Sequence, residues 1–82
     1  MARITEFDVR TIDVDGDVIG IDAFATMPEA IRFAKSIAPK FPAVVVERRH
    51  MESSIFGDAV EYVDSEVVWH AGSEAALLAW GG

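Results

Sequence analysis

The sequence predicts an α+β domain: an antiparallel sheet of about four strands, one long helix packed on a face, and a short C-terminal helix, in the order ββα-ββα. Three observations predict it. Runs rich in β-branched residues occupy 5–22 and 43–70, an apolar stripe at three- and four-residue spacing lies between them, and Asp-Gly and Gly-Ser pairs punctuate the chain. The 82 residues make a single domain, 1–82. A chain of this size buries roughly 60–65% of its unfolded surface, enough for a modest core.

Residues 5–14 and 17–22 read as two strands joined by Asp15-Gly16, a pair that suits a two-residue type I′ turn. Such a turn pairs Val14 with Asp17, Ile12 with Ile19 and Arg10 with Ile21. Phe7 and Val9 are out of phase with Ile12 and Val14, which predicts a bulge near Arg10-Thr11 that brings both halves onto one core. Thr26-Met27-Pro28-Glu29 is a helix start, with Thr as N-cap, Glu three residues on and Pro in the first turn. Met27, Ala30, Ile31, Ala34, Ile37 and Ala38 form the apolar stripe, which Phe33 widens, while Arg32 and Lys35 point away. Pro39 stops the helix.

Ala43 to His50 is a third strand, and its three consecutive valines predict a central position covered on both sides. Glu52 to Asp58 is a loop carrying Ile55-Phe56-Gly57. Residues 59–70 form the fourth strand, with a bulge at Asp64-Ser65 reconciling Val60 and Tyr62 with Val67 and Trp69. Gly72-Ser73 then caps a helix over Glu74 to Trp80, which Gly81-Gly82 ends. Leu77 and Trp80 are expected to pin this helix to the sheet edge.

Charge is the more informative property. The net charge is −7, and it is segregated along the chain. From Glu6 to Asp22 six acids face Arg10 alone, and from Glu52 to Glu74 six acids face no Lys or Arg. Between them Arg32, Lys35, Lys40, Arg48 and Arg49 outnumber Glu29 and Glu47. A chain this acidic is repelled by nucleic acid and anionic membranes and drawn to basic protein surfaces. The absence of cysteine excludes disulfides and thiolate chemistry and fits a reducing compartment. No apolar run reaches the roughly 20 residues that span a bilayer, so a cytoplasmic protein is expected.

Catalysis and metal binding find little support. Asp13, Asp15 and Asp17 match calcium-loop positions one, three and five, but Val18 and Phe24 stand where Gly and a bidentate Glu belong. His50 and His70 end different strands at opposite ends of the pair, which argues against a shared zinc. Ser53-Ser54 near His50 and Asp58 lacks the strand-turn-helix elbow of a nucleophile. No enzyme, cofactor or metal is expected. Trp69 and Trp80 are read as core, and Phe56 as an exposed anchor. Arg48 and Arg49 are expected to pair with acids of the neighbouring strand, such as Glu61. The hairpin acids admit two readings: edge protection with solubility, or recognition.

In size, charge and α/β outline the whole chain resembles the small, acidic, cysteine-free anti-CRISPR proteins of phages, nearest those acting on type I-C Cascade. The resemblance rests on Glu6–Asp22, on Glu52–Glu74 and on the end Ala79-Trp80-Gly81-Gly82. It implies a non-enzymatic inhibitor, a monomer or weak dimer in the host bacterium, that occupies the basic DNA-binding channel of an effector complex without binding nucleic acid itself. Asp13, Asp15, Asp17, Asp22, Glu52, Asp58, Glu61, Asp64 and Glu66 are the expected partner-binding residues, gathered by folding into one anionic patch. The rivals are an acidic accessory domain, or an antitoxin-like module that uses the Ile55-Phe56 loop.

Overall fold

A computed structural model describes the backbone of residues 2–53 and 60–81 and the side chains of residues 4–51 and 64–81. The elements are β1 (Ala2–Ile12), β2 (Val18–Phe24), α1 (Met27–Ile37), a 3-10 turn (Ala38–Lys40), β3 (Ala43–Ser53), β4 (Val60–Gly72) and α2 (Glu74–Trp80). The four-stranded antiparallel sheet, the longer helix and the short C-terminal helix make an α+β fold. A bare ββα-ββα string leaves out the 3-10 turn that prolongs α1, and it hides how unequal the halves are. The strand order is β2-β1-β3-β4, so each half contributes one central and one edge strand. Among the described residues, no helix is long and apolar enough to cross a membrane.

The β1–β3 ladder runs without a register shift from Ala2↔Ser53 to Ile12↔Ala43. Side chains alternate between faces along a strand, so this one uninterrupted phase sorts the residues of both strands. Phe7, Val9, Val44 and Val46 lie against Ala30 and Ala34 of α1. Ile12, Ala43 and Val45 turn to the other face and pack against Ala76, Leu77 and Trp80 of α2. The two helices therefore cover opposite faces. Val44, Val45 and Val46 are each 0% exposed, as a strand flanked on both sides and covered front and back requires.

The phase change between Val9 and Ile12 is the mark of these two cores. The expected bulge exists on the β2 side, between Thr11 and Ile12, but it does not bring the halves of β1 together. In β4, register shifts fall at Val46/Glu47 and His50/Met51 of the partner strand, leaving Val68 and Val63 as the extra residues rather than Asp64-Ser65. The first lets both Val68 and Trp69 pack toward α1.

The helix ends follow their residues. Thr26 is the N-cap of α1, but its Oγ1 donates to Glu29 Oε1 at 2.8 Å instead of accepting a backbone N–H, so a side-chain pair stands in place of the expected capping box. Phe33 meets Phe24 of β2 with ring centroids 5.3 Å apart. Ser73 Oγ accepts from Ala76 N, and Gly81, at φ +71°, closes α2 by donating its N–H to Leu77 O. The last helix lies over the central strands, not the sheet edge, because Ile12, Ala43 and Val45 supply its seat. Ile12 is fully buried there, so Ile12→Ala is expected to cost about 2–5 kcal/mol in chemical denaturation. Near-ultraviolet circular dichroism should report loss of the Trp80 environment.

Candidate recognition surface

The Asp13–Asp17 segment closes the β1–β2 hairpin, and its geometry is not the two-residue turn that Asp15-Gly16 suggested. Gly16 N donates to Asp13 O at 3.1 Å, and Asp13 N donates to Asp17 O at 3.0 Å. Val14, Asp15 and Gly16 thus form a three-residue loop with Gly16 at φ +87°. Among the described residues, only glycines have positive φ, so Asp15 cannot take the conformation that a type I′ turn requires. The Asp13 side chain selects the longer loop, because Oδ1 accepts both Asp15 N at 2.9 Å and Asp17 N at 3.0 Å. As a result Ile12 faces Val18 rather than Ile19, while Arg10 still faces Ile21.

Each carboxyl group of Asp13, Asp15 and Asp17 offers an oxygen within 4.8 Å of the others. At that spacing the charges repel one another, and the turn confines them. The loop also abuts α2: a Cβ on Gly16 would come within 2.4 Å of the Ala79 carbonyl carbon. The acidic tip is therefore clamped to the C-terminal end of that helix. The ion pairs Arg10–Glu47, Arg48–Glu66 and Arg49–Asp8 do not reach this tip.

Of the other expected partner-binding residues, the structure describes the side chains of Asp22, Asp64 and Glu66. Asp22 is exposed on edge strand β2, opposite Val9, and so lies toward the α1 face beside Thr11, Phe33 and Phe41. Asp64 is exposed opposite His50 on β4, and Glu66 is paired with Arg48. β2 and β4 are opposite edges of the sheet, with β1 and β3 between them. Among the described residues, Asp22 on one side and Asp64 and Glu66 on the other are therefore held on different edges. The side chains of Glu52, Asp58 and Glu61, with the Ile55-Phe56 loop, lie outside the described residues. Arg48 pairs with the neighbouring strand as expected, but through Glu66.

A second set of charges escaped the sequence reading. Below α2, the same face of the sheet carries Glu6, Asp8 and Arg10 on β1 and Glu47 and Arg49 on β3. Arg49 Nη1 donates to Asp8 Oδ2 at 2.9 Å, and Arg10 pairs with Glu47. Asp8 is 1% exposed. A hydrogen bond with Asp8, then burial and the Asp8 charge, push the Glu6 carboxyl above its ordinary range, with Arg49 opposing. The signal was present as charges of both signs at a spacing of two in facing strands.

Asp13, Asp15 and Asp17 are, among the described residues, the group able to touch one cation. Three carboxylates fall short of the roughly six to eight oxygens that calcium takes. His50 Nδ1 is 2.9 Å from Thr5 Oγ1, whereas His70 pairs with Val45 at the other end of β3, so the two rings do not meet. An open depression of about 440 Å³ lies beside α2, lined by Val45, Val67, His70, Leu77, Leu78 and Trp80. Comparison of the chain with protein-family models, curated proteins and solved structures finds no match.

Gly16→Ala should lower stability by about 1–3 kcal/mol, through positive φ and the collision with Ala79, measurable by thermal or chemical unfolding. The raised Glu6 carboxyl means that the native state holds a proton the unfolded chain has released, so this group's contribution to stability falls as pH rises through that window. Glu6→Gln is therefore expected to lose less stability than the parent between about pH 4 and about pH 7 in parallel urea titrations.

Proposed function

We propose that this protein is a non-enzymatic inhibitor that binds the basic nucleic-acid-binding surface of a partner protein, with the Asp13–Asp17 tip as its leading contact. The setting proposed is a bacterial cytoplasm, with a CRISPR effector complex such as Cascade as the partner. The observation that carries the reading is the contrast between two classes of acid. Asp8 and Glu47 are consumed in ion pairs within the sheet, whereas Asp13, Asp15 and Asp17 stand together at a clamped tip with no cationic neighbour among the described residues.

Close carboxylates on a braced loop offer a Lys- or Arg-lined channel some of what a phosphate backbone offers, at little further cost in ordering the loop. Opposite charge also speeds the encounter and makes it sensitive to salt. Edge protection accounts for Asp22 on β2. It accounts less well for three acids in a turn that contributes no free strand edge. The accessory-domain reading keeps the same fold and predicts no competition with nucleic acid.

The test is displacement of labelled DNA from purified type I-C Cascade by the full chain at low salt. Competition is expected, and Asp13→Asn/Asp15→Asn/Asp17→Asn should weaken it by about tenfold or more. The Asn carbonyl at position 13 can still accept the two backbone N–H groups, so this variant removes charge and keeps the turn. DNA binding unchanged by the parent protein contradicts the reading, and so does full potency in the triple variant.

A further inference from the structure

We propose that the depression beside α2 is an anchor site for a basic amphipathic segment of a protein partner, which places an apolar side chain between Leu78, Val67 and Trp80 while its cations meet the surrounding acids. This rests on the function proposed above and gives the partner surface a second, apolar requirement. The depression holds about 440 Å³, a size suited to one or two side chains, and its lining is apolar apart from His70. Leu78 is 73% exposed and Val67 39% exposed, although α2 is itself packed on the sheet through Ala76, Leu77 and Trp80. Leu78 therefore contributes no core packing that would explain an apolar residue at that position.

The rim specifies the charge of the occupant. Glu74 lies four residues before Leu78, on the same side of α2. Glu47, the strand partner of Val67, and Glu66, which points to the other face, are already paired with Arg10 and Arg48 and add no charge to this rim. The Asp13–Asp17 tip abuts the helix at Ala79 and Trp80, where the carbonyl end of α2 also favours cations. From Val60 to Gly82 the sequence has no Lys or Arg. Arg10, on the same face, is paired with Glu47. An apolar seat with Glu74 on its helix and the acidic tip against that helix's end is complementary to Leu-type side chains flanked by Lys or Arg, and it opposes a second copy of this acidic chain.

The experiment uses the full chain and two labelled probes: a helical Lys/Leu peptide with leucines at three- and four-residue spacing, and the same peptide with serine at every leucine. Burial of one leucine side chain predicts that the Lys/Leu probe binds roughly tenfold or more tightly than the Lys/Ser probe. Leu78→Gln keeps a good helix former and adds no charge, and Val67→Thr keeps a β-branched residue in β4. Each should bring Lys/Leu binding down toward the Lys/Ser value and leave the Lys/Ser value within about twofold. Circular dichroism verifies that both variants keep the fold. Equal affinity of the parent for the two probes overturns the proposal, as does undiminished Lys/Leu preference in both variants. A Leu78-dependent dimer in sedimentation at assay concentration also overturns it, by assigning the seat to a second copy. Failure of the acidic-tip reading registers elsewhere, as undiminished DNA competition by the triple Asn variant.

Discussion

The unbroken pairing of β1 with β3 is the constraint on which the rest of the molecule depends. Because no residue is inserted between Ala2↔Ser53 and Ile12↔Ala43, each side chain in both strands is assigned to a face by its parity. That assignment builds two small cores in place of one. It puts α1 over Val9, Val44 and Val46 and α2 over Ile12, Ala43 and Val45. It also concentrates Glu6, Asp8, Arg10, Glu47 and Arg49 on the part of the second face that α2 is too short to reach.

This charged stretch does for the sheet what a third helix would otherwise do. Carboxylates and guanidiniums engage one another across the strands, with Asp8 almost completely buried. Removing Arg49 would leave the buried Asp8 carboxylate without that partner, so this pair resists partial loss. It also uses up the acids of the strand interior. Among the described residues, Asp13, Asp15 and Asp17 of the turn, Asp22 and Asp64 of the edge strands and Glu74 of α2 lie outside these ion pairs.

Much of this was legible in the residues. Thr26, Pro28 and the three-four stripe located α1, and Ser73 and Gly81 bounded α2. The three valines announced a doubly covered central strand. What misled was the assumption of one core. The shift of phase from Val9 to Ile12 is how a strand serves two helices on opposite faces, and no bulge between β1 and β3 was needed. The hairpin was misread because Asp-Gly alone favours a type I′ turn, while the Asp13 side chain, two and four residues upstream of the amides it binds, selects a longer loop. Separation of Asp22 from Asp64 and Glu66 follows from strand order, which local patterns do not encode. The apolar seat under Leu78 was likewise invisible, since it exists only where β4 and α2 converge.

The central claim is that folding divides the acids into a buried, paired set and an exposed, unpaired set at the hairpin tip. Carbodiimide-coupled amine labelling of the native protein, read by mass spectrometry at each carboxyl group, measures that division directly. Asp15 and Asp17 are exposed, whereas the Asp8 and Glu47 side chains are 1% and 12% exposed, so the tip should label about tenfold faster or more. Comparable labelling of all four groups would mean that the ladder does not sort the charges as described, and the account would fail with it.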